Sequence, residues 1–82
     1  MLTVARTGWL IFALGKLRTL QGRYDDSLTA HQKALECIRV TCGESHPRVA
    51  LVRHKISEHY ARLGRYEEAM YVSKKTFQSR LH

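Results

Sequence analysis

The histidines, cysteines and paired acids are the residues of this chain with the most chemistry to offer. Cys37, Cys42 and His46, with His31 upstream, superficially suggest a zinc site. Their spacing fits no zinc finger, where the ligands come in short fixed pairs. Cys37 also falls on an apolar stripe beside Ile38, so a buried free thiol packing as a small hydrophobe is expected there. His54 and His59 stand five apart and diverge on a helix, which makes them poor metal partners and suits groove or surface side chains. Asp25/Asp26 and Glu67/Glu68 are adjacent pairs that do not face each other across a site. They fit the first turn of a helix, where carboxylates meet the positive end of its dipole. There is no glycine-rich phosphate loop and no nucleophile elbow, and nothing supports a Cys–His nucleophile. The expectation is a chain without catalysis, metal or cofactor.

Composition sets the scale on which any site must be built. Eighty-two residues, 44% apolar and 26% charged, with one proline and five glycines, describe one small globular domain. A chain of this length buries only about 60% of its unfolded surface, which leaves no room for an elaborate enzyme with its own cofactor domain. Fourteen Lys+Arg against seven Asp+Glu give a formal charge of +7, which favours an anionic partner. The cations recur mostly singly along the chain, with a denser tail at Lys74, Lys75 and Arg80, as on solvated helix surfaces, so nucleic-acid binding is only the weakest alternative. Two cysteines do not make a disulfide framework, and reduced thiols in the cytoplasm are the simpler setting. The apolar run from Trp9 to Leu14 is too short to span a membrane and is cut off by Lys16 and Arg18. It has no clear signal-peptide cleavage site, although the acid-free first 24 residues remain compatible with a mitochondrial presequence.

An internal repeat explains that run better. Gly22-Arg23-Tyr24-Asp25-Asp26-Ser27-Leu28 returns as Gly64-Arg65-Tyr66-Glu67-Glu68-Ala69-Met70, an offset of 42 residues. At the same offset Leu14 answers Ile56, Gly15 answers Ser57, Lys33 answers Lys75 and Leu35 answers Phe77. Each unit reads as helix, tight turn, helix. In the first, Val4, Leu10, Ile11, Leu14 and Leu17 at helical spacing give an opening helix that ends before Gly22. Leu28, Ala34, Leu35 and Ile38 stripe the second helix. After the break at residues 42–47, Ser45 or His46 can cap a third helix, with Pro47 in its first turn. Val49, Val52, Ile56, Tyr60 and Leu63 stripe this helix, and Ala69, Val72, Thr76 and Phe77 a fourth. No period-2 run competes. The expected fold is all-α: two stacked helix-turn-helix hairpins, a short α-solenoid segment. Residues 1–82 would form a single domain, with repeat one at about 5–41, a linker at about 42–46 and repeat two at about 47–80.

The spacing resembles the tetratricopeptide repeat. Leu14-Gly15, Gly22, Tyr24, Ser27 and Ala34 occupy its signature positions in the first unit, and Ile56, Ser57, Tyr60, Gly64, Tyr66 and Ala69 in the second. The long period, against about 34 in the common form, and the linker Gly43-Glu44-Ser45-His46-Pro47-Arg48-Val49-Ala50 look like the kinesin-light-chain variety. There are departures: Arg18 stands where a large residue is expected, and His31 and Ser73 where an aromatic is usual.

The resemblance implies a peptide groove lined by the first helix of each hairpin, and a taste for peptides that pair aromatic and acidic residues. The side chains it would place there are Trp9, Phe12, Lys16, His54, Lys55, Glu58 and Arg62. Related repeats often carry backbone-clamping asparagines where this chain has Phe12, Ala13, His54 and Lys55. The leading expectation is thus a protein–protein interaction scaffold, without a membrane partner, that binds a protein or an acidic/aromatic peptide. The alternative is a structural piece of a longer array, such as the tail of a modular receptor. Self-association through exposed end hairpins belongs with it, motivated by Trp9 and by an uncapped face at Val72, Phe77 and Leu81.

Overall fold

The computed structural model of the chain describes residues 2–80, and side chains within residues 6–78. These residues form α1 (Leu2–Leu20), α2 (Tyr24–Cys42), α3 (Pro47–Arg62) and α4 (Tyr66–Arg80), and no strand. α1 packs on α2, α2 on α3, and α3 on α4, which makes two helical hairpins joined through α2 and α3.

The turn inside each hairpin is built the same way. Gly22 and Gly64 have φ of 76° and 78°, the left-handed conformation that ends a helix and that a Cβ disfavours. The following residue closes the motif: the Arg23 N–H donates to the Arg18 carbonyl at 2.9 Å and the Arg65 N–H to the Tyr60 carbonyl at 2.8 Å. The next helix then starts with an acid-bearing turn in which Arg23 pairs with Asp26 and Arg65 with Glu68. At the linker, His46 rather than Ser45 is the cap. Its Nδ1 accepts from the Arg48 N–H at 3.1 Å, and Pro47 opens α3 where a missing N–H costs nothing.

The core runs along the middle of the stack and holds Phe12, Leu28, Ala34, Ile38, Val49, Val52, Ile56, Tyr60 and Ala69. The leucines whose helical spacing marks α1 do not face its hairpin partner: Leu10 is 70% exposed, and Leu14 and Leu17 are also exposed. α1 meets α2 through its small residues instead, since Gly8 abuts Ile38 and Gly15 lies under the ring of His31. Only small residues permit so close an approach of two helix backbones. Val4 lies outside the residues whose side chains are described, as does Leu81. Cys37 and Cys42 are free and half-buried.

The repeat offset explains the outward leucines. Moved by 42 residues, Leu10, Leu14 and Leu17 become Val52, Ile56 and His59, which are buried on α3 against α2. Leu28, His31 and Leu35 of α2, on the other side of that joint, become Met70, Ser73 and Phe77 of α4. Met70 and Phe77 are 72% and 64% exposed. The two ends of the described stack therefore present the same faces that its middle buries.

Candidate peptide-binding groove

Lys16 on α1 and Lys55, Glu58 and Arg62 on α3 come together around a pocket of about 240 Å³ between the two helices. Thr19 and Leu20 complete one wall, and His31 and His59 also line it. Three cations thus surround one carboxylate. That carboxylate is already engaged: Glu58 Oε1 lies 2.7 Å from Nε2 of the exposed His54 and 4.0 Å from Lys55 Nζ. The Arg62 guanidinium sits 5.0 Å above the Tyr24 ring, and Lys16 makes no ion pair among the described residues. Cations that converge without matching acids make a positive potential, which a cleft with low-dielectric walls concentrates.

The aromatic half of the expected groove is placed differently. Phe12 is buried, its ring edge-on to His31 at 4.9 Å and to Trp9 at 5.2 Å. Trp9 is half-buried, with the Arg48 guanidinium 4.8 Å from its ring. Of the two, only Trp9 offers surface to a ligand, and it does so from a position more than two turns before Thr19 on α1.

His31 and His59 are the residues whose burial the sequence reading did not anticipate. His59, expected at the groove or the surface, lines the pocket but is no surface residue: it is 5% exposed, and His31 is 1% exposed. Their rings lie 4.7 Å apart and tilted, at the joint between the hairpins. Both positions continue apolar stripes, His31 three after Leu28 and His59 three after Ile56, and that spacing was the available signal.

Ser27 organises the polar groups around the two rings. Its hydroxyl donates to the Gly15 carbonyl at 2.8 Å and lies 2.5 Å from the Thr19 hydroxyl. His31 Nδ1 donates to the Ser27 carbonyl at 2.8 Å, which leaves its Nε2 as a lone pair. His59 Nε2 lies 3.2 Å from Ser27 Oγ. With the serine proton committed to Gly15, we assign the Nε2–H tautomer to His59, which leaves a lone pair at Nδ1. The other tautomer would bury an N–H without an acceptor, the costlier error. His31 Nε2 and His59 Nδ1 are the buried side-chain atoms with no hydrogen-bond partner among the described residues. Burial pushes both imidazoles below the ordinary histidine range, and for His59 the adjacent His31 adds to the effect.

A larger cleft of about 550 Å³ lies on the other side of α3, between α2 and α4. Buried Arg53 sits there in an ion pair with Glu44, which also pairs with Arg39. Its charges are largely matched, unlike those above the histidines. No group of three or more potential metal ligands forms among the described residues, and no described helix is long and apolar enough to cross a membrane.

Paired antiparallel helices, repeated at a fixed offset with small residues at the crossings, define a helical-repeat protein. Residues 6–80 match the model of the tetratricopeptide repeat, and the chain belongs to that family. Among curated proteins it is similar to Protein KINESIN LIGHT CHAIN-RELATED 1 of Arabidopsis thaliana, 33% identical over 57 residues, which are 70% of this chain and 9% of that protein. It is similar also to Protein KINESIN LIGHT CHAIN-RELATED 3 of the same plant, 36% identical over 47 residues, 57% of this chain and 7% of that protein. The chain spans less than a tenth of the length of these relatives.

Proposed function

We propose that the chain is a non-catalytic protein-interaction module, and that its α1–α3 groove takes an extended peptide carrying acidic side chains. The observation that carries this is the convergence of Lys16, Lys55 and Arg62 on one pocket with Glu58 as the lone acid. Trp9 supplies an apolar contact along the same helix. Tetratricopeptide repeats serve widely as scaffolds for protein partners, which supports the class but names no ligand. The free thiols of Cys37 and Cys42 suit a cytoplasmic setting. The double substitution Lys55→Glu/Arg62→Glu should weaken binding of an aromatic–acidic peptide at least tenfold in fluorescence anisotropy. Unchanged affinity would remove the groove.

A second role is favoured by the repeat-equivalent faces at the two ends. Leu10/Leu14/Leu17 and Met70/Phe77 would receive a further hairpin of the same type, making the chain a segment of a longer stack. Concentration-dependent association in light scattering is the expected behaviour. A monomer at high concentration, melting cooperatively, would count against this role.

A further inference from the structure

The contacts across the α2–α3 joint can be carried to the ends of the stack by the repeat offset, moving each α2 residue to α4 and each α3 residue to α1. Ser27 beside His59 becomes Ala69 of one copy beside Leu17 of the next. Tyr24 under the Arg62 guanidinium becomes Tyr66 beside Leu20, which are 66% and 86% exposed. Leu28, in one cluster with Val52 and Ile56, becomes Met70 against Leu10 and Leu14. Each of these pairs lays apolar surface on apolar surface. One contact does not survive the transfer. Gln32 Nε2 donates to the Tyr60 hydroxyl at 2.8 Å, and the counterparts of these two residues are Lys74 and Arg18, both cations.

We propose that copies of this chain stack head to tail, α4 of one on α1 of the next in the register of the α2–α3 joint, and that Lys74 facing the next copy's Arg18 holds the stack weak. This rests on the end-face role given above and adds to it the occupant, the register and a charge brake. The occupant is a second copy because this chain itself supplies both apolar halves, spaced as its own joint spaces them. Lys74 is exposed, and Arg18 donates from Nη1 to Gln21 Oε1 at 3.0 Å. Neither forms an ion pair among the described residues, so neither charge arrives at the contact neutralised. The apolar pairs drive association without fixing who associates, whereas like charges held together oppose this one arrangement. An α4 face on an α1 face is a heterologous contact, and every copy added leaves another α4 face free. The stack is therefore open-ended.

The test is sedimentation velocity of the full chain over a range of concentrations, for the wild type, Lys74→Glu, Arg18→Glu and the double variant. The wild type is expected to associate weakly, with a mean mass that keeps rising with concentration. Each single substitution turns the like pair into an ion pair and should tighten association about three- to tenfold. The double substitution sets acid against acid and should return association to about the wild-type strength. That reversal separates the register from its rivals. General relief of the positive net charge would make the double variant the tightest of the four, and a two-fold contact of α1 on α1 or α4 on α4 would make the two effects add. Either outcome, or single variants that associate as the wild type does, would overturn the register and its charge brake while leaving the apolar ends as an association surface. Absence of association in the wild type and in both single variants would remove the end-face role as well.

Discussion

At the residue scale, the neutral histidine pair has a consequence for stability. Both native pKa values are depressed relative to the ordinary value, so in the range below about 6.5 the unfolded chain binds more protons than the native one. Stability therefore falls as pH falls through that value. The thermal midpoint is expected to be lower at pH 5.5 than at pH 7.5, and replacing both histidines by neutral side chains should flatten that slope if the fold survives. Gly15 belongs to the same cluster. A Cβ there would stand 2.6 Å from the His31 ring, so Gly15→Ala should cost about 1–3 kcal/mol in denaturant unfolding. Wild-type stability in that variant would mean the hairpin crossing is looser than described. The lysines, Glu58 and Arg62 of the pocket were legible from their repeat positions. The imidazoles were not, because histidine reads as polar, and only the partners Ser27, Thr19 and Gly15 show how it can be buried.

At the element scale, the turns were the most legible part of the chain. Gly22 and Gly64 announced themselves by type and offset, and both take the positive φ that glycine tolerates. Gly64→Ala meets no neighbouring atom, so its expected cost of about 1 kcal/mol comes from backbone conformation alone. A chemical-denaturation midpoint equal to wild type would contradict it. The contact between helices within each hairpin was not legible, because the two hairpins make it with exchanged parts. In the first, the Ser27 hydroxyl of α2 donates to the Gly15 carbonyl of α1; in the second, the Ser57 hydroxyl of α3 donates to the Ala69 carbonyl of α4 at 3.2 Å. Gly15 and Ser57 share one repeat position, Ser27 and Ala69 another. One small polar residue and one residue without a polar side chain satisfy the pair in either order, a rule that appears only when both helices are seen together. The exposed side of α1 escaped for a similar reason, since leucines at helical spacing mark a stripe without saying what covers it.

At the scale of the whole molecule, the same surface logic governs the ends and the middle. The α2–α3 joint buries Val52 and Ile56 beside Leu28, while their equivalents Leu10, Leu14 and Met70 stay exposed. If stacking uses these faces, Leu14→Glu combined with Met70→Glu should abolish concentration-dependent association and leave helix content unchanged by circular dichroism. Association that persists in this variant would assign it to another surface. The long period and the Gly43–Ala50 linker pointed to the kinesin-light-chain type of repeat, and the similar proteins agree with that. The ligand follows from charge rather than from fold, and there the two clefts beside α3 compete. The α1–α3 pocket has unmatched cations, while the α2–α4 cleft holds Arg39 and Arg53 paired with Glu44. Mapping an acidic peptide onto the isotope-labelled chain by NMR separates them directly. Shift changes centred on Lys16, Thr19, Lys55 and Arg62 are expected; changes centred instead on Arg39, Arg53 and Lys75 would contradict the groove.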